Sequence, residues 1–365
     1  MKFRALSILL LSTTAAQAEV PNVVTDIPAV HSLVSQVMDG VGEPSLLMKQ
    51  GASPHGYSLR PSEARALQNA NLVVWIGEDL TPWLENAIDS LAADAASLEL
   101  LHAPGTEVLQ FRETPVFAKD VHDDHDDHGH DDHAEDKHDD HDHGEEKHDD
   151  HDHDDHAEDK HHDHDHDEEK HDEHDHDDHA EDKHDDGHDD HGHDHDGADP
   201  HAWLDVHNAI TWVGLVADSL SELDPENAAT YAANAQAAAN KLEVLETALE
   251  TKMAPHADAE FVVFHDAYQY FEHATGIQAT GALQLSDANP PSAAHLAEIQ
   301  AEIQEHKATC IFSEPQFSDS LVKSVTNGQV ASTELDPIGV SLELGKDFYG
   351  NLMLNLADSI DSCLK

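Results

Sequence analysis

The chain has 365 residues, of which 77 are acidic and only 18 are Lys or Arg, so its formal net charge at pH 7 is −59. Such an excess of negative charge argues against nucleic acid and anionic membranes as partners, because both repel an acidic surface. Beyond the N-terminus, no apolar run reaches the length of a transmembrane helix, so direct membrane insertion is not expected.

The first 18 residues have the pattern of a secretory signal peptide. Lys2 and Arg4 form a basic start, residues 5–11 are a short apolar run, and an A-x-A cleavage site ends the segment. No Cys stands at the cleavage point, so a lipid anchor is not expected there. We therefore expect a mature chain that begins near Glu19 and is soluble outside the cytoplasm.

Strand-like and helix-like segments alternate through the first half of the remaining chain. Short apolar runs bounded by turn residues indicate the strands, and Pro at the first helical position opens the helix at residue 61. The predicted order is strand, helix, strand, helix, strand and helix, at residues 22–25, 28–38, 45–48, 61–69, 71–76 and 82–95. Such alternation predicts an α/β fold whose parallel sheet is covered on both faces.

Residues 120–199 consist almost entirely of His, Asp and Glu. They hold 25 of the chain's 35 histidines and 40 acidic residues, and the octapeptide DDHAEDKH starts three times, at Asp131, Asp154 and Asp177. With so few apolar residues the segment cannot form a core, which predicts a disordered insert rather than a solenoid. Imidazole suits Zn, Cu and Ni, and carboxylates attract cations, so the composition indicates metal binding. A solvated spacer would explain the charge but not the choice of His.

A second α/β half follows the insert. Asp224-Pro225 is typical of an N-cap followed by Pro at the first helical position, and predicts a helix of about 28 residues, roughly 42 Å long, that ends at Met253. Strands are then predicted at residues 260–264, 278–283, 309–312 and 330–335, with helices at 267–273, 293–305 and 318–326 and a last helix at the C-terminus.

The predicted organisation therefore has four parts. They are a signal peptide (1–18), an N-terminal α/β lobe (19–223) that carries the insert (120–199), a linking helix (224–254) and a C-terminal α/β lobe (255–365).

The chain has two cysteines, Cys310 in a predicted buried strand and Cys363 near the end of the predicted last helix. In an exported chain an even count favours a disulfide. Such a bridge would tie the last helix to the sheet and stabilise the fold by roughly 4 kcal/mol in the chain-entropy picture. A pair of Cys metal ligands is a weaker alternative, because neither lies near the candidate histidines in sequence. Two unpaired buried thiols are least expected in an oxidising compartment.

Three histidines outside the insert follow strand-like runs or turn signals. His55 follows the apolar run 46–48, His265 ends the run 261–265, and His201 lies just beyond the insert. Ligands of open α/β sheets bind at the carboxyl ends of strands, so a site shared between the two halves is expected. One such His is more often a capping or core residue, but three in a chain with a metal-attracting insert favour a metal site. Three neutral imidazoles and one further donor form a tetrahedral Zn²⁺ site with Zn–N distances of about 2.0–2.1 Å.

At these histidines the sequence resembles the zinc-uptake solute-binding proteins of ABC transporters, of the ZnuA type. The resemblance is carried by GASPHGYSLRPS at residues 51–62, VFHDAY at residues 263–268 and FSEPQF at residues 312–317. It implies two (β/α)₄ lobes with parallel sheets, a long linking helix and a Zn²⁺ site between the lobes. It also implies that His55, His201 and His265 are the zinc ligands, and that Cys310 and Cys363 form a disulfide.

The fourth zinc ligand is open at this point. Some relatives have an acid just before the first histidine, where this chain has Pro54. Metal-binding cousins use an Asp that matches Asp336, and a water molecule is an equally supported donor. Asp266, Glu314 and Asp205 are candidate acids that would hold a ligand imidazole in the right tautomer.

The resemblance implies a periplasmic zinc-binding component that captures Zn²⁺ between its lobes and delivers it to an inner-membrane ABC permease. We expect a monomer without enzymatic activity. Two other classes compete with this hypothesis. The insert would also suit a periplasmic metal buffer or adhesin, and three histidines with an open position would suit a zinc hydrolase. The sequence offers no clear general base beside the histidines.

Overall fold

The computed structural model describes residues 20–117, 197–285, 292–305, 307–317, 319–326 and 330–365. The predicted signal peptide and all but the last three residues of the predicted insert lie outside these ranges. Within them, no helix is long and apolar enough to cross a membrane.

The N-terminal lobe is built on a parallel sheet of four strands in the order β2-β1-β3-β4. In chain order its elements are β1 (Val23–Thr25), α1 (Pro28–Val37), β2 (Ser45–Leu46), α2 (Pro61–Gln68), β3 (Leu72–Trp75), α3 (Pro82–Leu91), β4 (Ala96–Glu99) and α4 (Val206–Leu223). The helices α1, α2 and α3 each have Pro in the first turn, where its missing N–H costs no hydrogen bond. The central strands β1 and β3 are buried throughout, and apart from Thr25 they are apolar, as expected of strands with both faces covered.

The C-terminal lobe repeats this arrangement with a parallel sheet in the order β6-β5-β7-β8. Its elements are β5 (Phe261–His265), α6 (Gln269–Thr275), β6 (Gly281–Gln284), α7 (Ala293–Glu305), β7 (Cys310–Ser313), α8 (Asp319–Thr326), β8 (Ala331–Glu334) and α9 (Phe348–Leu364). Two lobes with the same parallel strand order confirm the predicted fold class.

The long helix α5 (Ala228–Met253) connects the two halves and has 26 residues. It packs against α1 and α4 on one side and against α9 on the other. Its start differs from the prediction, since residues 225–227 form a turn. Asp224 ends α4, and its carboxylate accepts hydrogen bonds from the Asn227 side chain at 2.7 Å and from the Tyr231 hydroxyl at 2.9 Å.

Two elements were not predicted from the sequence. The edge strand β4 has the sequence ASLE, which contains no run of apolar residues, and the strand is partly exposed. The helix α4 buries one face, and here the sequence did carry a signal. Its buried apolar residues follow the helical spacing of three and four, at Ala209, Trp212, Val213, Val216, Ala217 and Leu220.

A disulfide joins the C-terminal helix to the sheet of its lobe. Cys310 on β7 and Cys363 on α9 are bridged with their Cα atoms 5.9 Å apart, across 53 residues of sequence. The same helix buries Leu352 and Leu356 in the main core, so covalent and hydrophobic contacts act together on α9.

In both sheets the direction of strand addition reverses beside the first strand of the lobe, and ligands of open α/β sheets bind at such a point. In the N-terminal lobe this point lies between β1 and β3, and in the C-terminal lobe between β5 and β7. His265 ends β5, and Glu314 directly follows β7. The fold therefore brings a predicted metal ligand and an acid together at the C-terminal lobe's switch point.

Candidate metal centre

The three predicted histidines lie around one cavity. The ring centroids of His201 and His265 are 5.3 Å apart, and those of His55 and His201 are 5.7 Å apart. Two imidazoles bound to one Zn²⁺ at about 2.0–2.1 Å would have their centroids roughly 5 Å apart. In the part of the chain that the structure describes, no three His, Cys, Asp or Glu side chains lie in an arrangement that could hold a metal ion as it stands. The rings would therefore move slightly towards each other around an ion.

The cavity itself has a volume of about 20 Å³, which is the space that one ion or one water molecule needs. Besides the three histidines, it is lined by side chains from both lobes, namely Ser53, Pro54, Trp203, Glu314, Gln316, Phe317, Pro337 and Ile338. Trp203 is fully buried, its ring lies 5.3 Å from that of His201, and its indole N–H donates to the Pro337 carbonyl at 3.0 Å. Trp203 therefore seals one wall of the cavity against water.

His265 is held by an acid from the neighbouring strand. The ring Nδ1 of His265 donates to Glu314 Oε1 at 2.6 Å, and its backbone N–H donates to the same oxygen at 3.3 Å. Both side chains are buried. A histidine held in this way by a carboxylate at Nδ1 is oriented as histidine ligands are in metal sites that bind through Nε2. Glu314 thus has the position that was predicted for it.

His201 has an equivalent partner that the sequence analysis missed. Its Nδ1 donates to Asp199 Oδ1 at 2.7 Å, and its backbone N–H donates to the same oxygen at 3.0 Å. Asp199 is fully buried, and this burial raises the pKa of its carboxyl to about 7, against the opposing effects of the His201 N–H and the charge of Arg112. The Asp-Pro-His order is a usable signal, since an Asp two residues before a His can bond to its backbone.

His55 lies on the loop that follows β2 and is partly exposed, unlike the other two histidines. Trp83 holds this loop, because its indole N–H donates to the Pro54 carbonyl at 2.8 Å and its ring contacts Tyr57 at 5.4 Å. The Tyr57 hydroxyl donates to Glu63 at 3.0 Å. The N-terminal lobe therefore presents this predicted ligand on a supported but open loop.

Asp336 is buried beyond the end of β8, and its carboxylate turns towards the following backbone. Oδ1 accepts hydrogen bonds from the N–H groups of Ile338 at 3.2 Å and Gly339 at 2.9 Å, and Oδ2 accepts from that of Val340 at 2.6 Å. Its side chain is not among those that line the cavity. Burial raises the pKa of Asp336, and these three N–H groups oppose the rise.

The other two predicted acids contact no histidine ring of the site. Asp266 accepts a hydrogen bond from the guanidinium of Arg112 at 3.1 Å. Asp205 is the N-cap of α4 and accepts from the His207 backbone N–H at 2.7 Å. The prediction that they orient a ligand imidazole was wrong, because Asp266 pairs with Arg112 and Asp205 caps α4.

Comparison with known proteins identifies the family. Residues 23–363 match the ZnuA family, described as the periplasmic component A of a zinc-uptake complex. The chain belongs to this family. The resemblance inferred from three short motifs is thereby confirmed over almost the whole chain.

Individual relatives agree with the assignment. The high-affinity zinc uptake system protein ZnuA of Paracoccus denitrificans (strain Pd 1222) is 43% identical over 351 residues, which cover 96% of this chain and 93% of that protein. The protein of the same name from Brucella abortus (strain 2308) is 40% identical over 354 residues, 97% of this chain and 94% of that one. A crystal structure of ZnuA with 20% identity has a TM-score of 0.63 over 95% of this chain and 100% of that chain, a likeness that shows the shared fold.

Proposed function

We propose that this protein captures Zn²⁺ between its two lobes with His55, His201 and His265, and delivers the ion to an ABC permease of the inner membrane. The observation that carries the proposal is the arrangement of the three rings around a cavity the size of one ion. Zinc is the cargo here, so the site must release the ion as well as bind it.

The donors suit zinc chemically. Two of the three imidazoles have their Nδ1 atoms engaged by buried carboxylates, which fixes the tautomer and makes Nε2 a better donor. Neutral imidazoles with one open position form a common coordination set for Zn²⁺. The third ligand, His55, stands on a partly exposed loop, which offers a route for the ion to enter and leave.

For the fourth ligand we propose a water molecule rather than Asp336. Both oxygens of Asp336 accept hydrogen bonds from the turn of residues 338–340, and turning one towards the cavity would break at least one of them. Replacement of Asp336 by Asn should then leave zinc affinity within a few-fold of the original. A loss of 100-fold or more in a folded Asp336→Asn protein would make Asp336 a ligand.

The hydrolase alternative has less support from the site. Glu314 and Asp199, the acids beside the histidines, each accept hydrogen bonds from the ring and the backbone N–H of one histidine, which engages them as supports of the histidines. Metal storage or adhesion is separated from transport by growth under zinc limitation, in cells with and without the permease. Transport predicts that the protein restores growth only where the permease is present.

Export and oligomeric state belong to the same proposal. We infer cleavage after residue 18, so N-terminal sequencing of the exported protein should begin near Glu19. We also infer a monomer, which light scattering of the purified protein would test. A stable dimer would contradict it.

The metal ligands themselves are tested by uptake. Cells that depend on this protein should lose zinc uptake when it carries His265→Ala and keep it when it carries His102→Ala. His102 is an exposed histidine that contacts Asp79 at 3.2 Å and lies outside the cavity. Equal uptake with both variants would contradict the assignment.

A further inference from the structure

A segment that precedes the predicted insert pairs with the last residues of the insert beside the proposed metal centre. Gln110 and Ala198 form an antiparallel bridge, and the backbone N–H of Asp199 donates to the Leu109 carbonyl at 2.8 Å. We call residues 109–117 and 197–199 the stem. Because Asp199 holds the ring of His201, the position of the stem determines the position of a metal ligand.

The stem is attached to the C-terminal lobe at the edge of its sheet. Val116 forms an antiparallel bridge with Gly281 on the edge strand β6, and the N–H of Ala282 donates to the Pro115 carbonyl at 3.0 Å. A Cβ atom on Gly281 would lie 2.4 Å from the Pro115 oxygen, so this approach requires glycine. The stem therefore extends the sheet and covers its open edge.

Helix α6 holds the stem from a second side. The Tyr270 hydroxyl donates to the Asp199 carbonyl at 2.8 Å and accepts a hydrogen bond from the Leu109 N–H at 2.9 Å. The Gln269 side chain donates to the Gln110 carbonyl at 3.2 Å. One helix of the C-terminal lobe thus contacts both strands of the stem.

The charged contact between stem and lobe is made by Arg112. Its guanidinium donates to Asp266 at 3.1 Å and to Glu272 on α6 at 2.5 Å, and it stacks 4.0 Å above the ring of Phe117. Both carboxylates are buried, and the charge of Arg112 also acts on the buried Asp199. Asp266 directly follows His265 in sequence, so Arg112 ties the stem to the end of the strand that carries a second proposed ligand.

We propose that Arg112 is a positioning residue of the metal centre, which fastens the stem to the C-terminal lobe and thereby holds Asp199, and through it His201, in the orientation that zinc requires. This inference rests on the proposed function. Arg112 contacts no zinc ligand itself, and its effect passes through the backbone of the stem. Its planar group spans two separate carboxylates, which the point charge of Lys cannot do equally well.

The test compares Arg112→Gln and Arg112→Lys with the unchanged full-length chain. Zinc affinity is measured by competition with a chelator at no more than one equivalent of zinc, so that only the tightest site fills. We expect Arg112→Gln to bind zinc about tenfold more weakly, at the lower end of the losses seen when outer partners of metal ligands are removed. The zinc affinity of Arg112→Lys should lie between those of the unchanged protein and Arg112→Gln. The Co²⁺-loaded Arg112→Gln protein should also show a changed visible absorption band, which reports ligand geometry.

Two further variants separate positioning from folding and from charge. Glu272→Gln removes one partner of Arg112 from α6 and should weaken zinc binding in the same direction with less risk to the fold. Lys252→Gln is the matched control, since it removes one positive charge from an ion pair with Asp358 on the surface. Its zinc affinity and Co²⁺ spectrum should not change.

The outcomes distinguish this inference from the proposed function. If His201→Ala abolishes tight binding while Arg112→Gln keeps its zinc affinity and Co²⁺ spectrum, the role of Arg112 is overturned and the metal centre stands. Lower thermal stability of Arg112→Gln with unchanged affinity and spectrum would make the residue merely structural and also overturn the inference. If His201→Ala binds zinc as tightly as the original protein, the metal centre itself is wrong.

Discussion

The two lobes have the same strand order, but they use the carboxyl ends of their central strands in different ways. In the C-terminal lobe the switch point holds His265 and its partner Glu314. In the N-terminal lobe the corresponding point holds Asp26, whose carboxylate accepts hydrogen bonds from the backbone N–H groups of Ile27 at 2.7 Å and Ile76 at 2.8 Å. That lobe supplies His55, one of the proposed ligands, from the loop after an edge strand instead.

The proposed metal centre has a preformed part, made of the buried histidines, and an adaptable part, made of the partly exposed one. His201 and His265 are buried, and each is oriented by a buried carboxylate. His55 is partly exposed on a loop that hydrogen bonds and one ring contact support. We therefore expect the buried pair to determine affinity and the His55 loop to influence chiefly how fast zinc enters and leaves.

The largest effect should come from the ligands. His201→Ala and His265→Ala should each weaken zinc binding by more than about 100-fold, exceeding the loss caused by an outer partner. His55→Ala should lose less, because water can enter at its exposed position. Chelator competition measures all three, with His102→Ala as the control. Equal losses at the three positions would contradict the division into a preformed and an adaptable part.

Substitution of the carboxylates that hold His201 and His265 should have the next largest effect on zinc affinity. Asp199→Asn and Glu314→Gln should each weaken zinc binding by roughly 10- to 100-fold, because the imidazole loses its charged acceptor. Asp205→Asn is the control, since Asp205 caps α4 and should leave affinity unchanged. Isothermal titration of the purified proteins provides the measurement. If Asp199→Asn binds zinc normally, the carboxylate does not orient His201.

A smaller effect is expected at the support of the His55 loop. Trp83→Phe removes the hydrogen bond to the Pro54 carbonyl, a contact of about 1 kcal/mol, so zinc should leave several-fold faster. Trp75→Phe is a matched control, because the Trp75 indole donates to Ser97 at 3.0 Å away from the cavity. Stopped-flow transfer of zinc to a chelator gives both rates. Faster zinc release from Trp75→Phe but not from Trp83→Phe would contradict the role of the Pro54 contact.

The smallest effect on zinc binding should come from Asp26, which matters for stability. Burial raises the pKa of Asp26 from an ordinary value of 3.8 to about 7. The folded state therefore holds this proton more tightly than the unfolded state, and the resulting stabilisation is lost as pH rises between these two values. The unfolding free energy of the original protein, measured in urea relative to Asp26→Asn, should fall between pH 5 and pH 7.5. A constant difference would contradict the raised pKa.

The sequence by itself determined the architecture and the three candidate ligands. The alternation of apolar strands and helices depends on neighbours in the chain, so local periodicity was enough to find two α/β lobes. The positions of His55, His201 and His265 after strand or turn signals followed from the same local patterns. The strand β4 was not predicted, because its partly exposed position at the edge of the sheet requires no run of apolar residues.

Only the tertiary structure decided which acid serves His265, whereas Asp199 lies just two residues before His201. Glu314 meets His265 across 49 residues, and Arg112 meets Asp266 across 154, so no local pattern reports either contact. Asp266 and Asp205 were also candidates, but the first pairs with Arg112 and the second caps α4. Local order in the chain decides secondary structure, whereas the choice of partner for a buried charge depends on which distant segments exclude water from it.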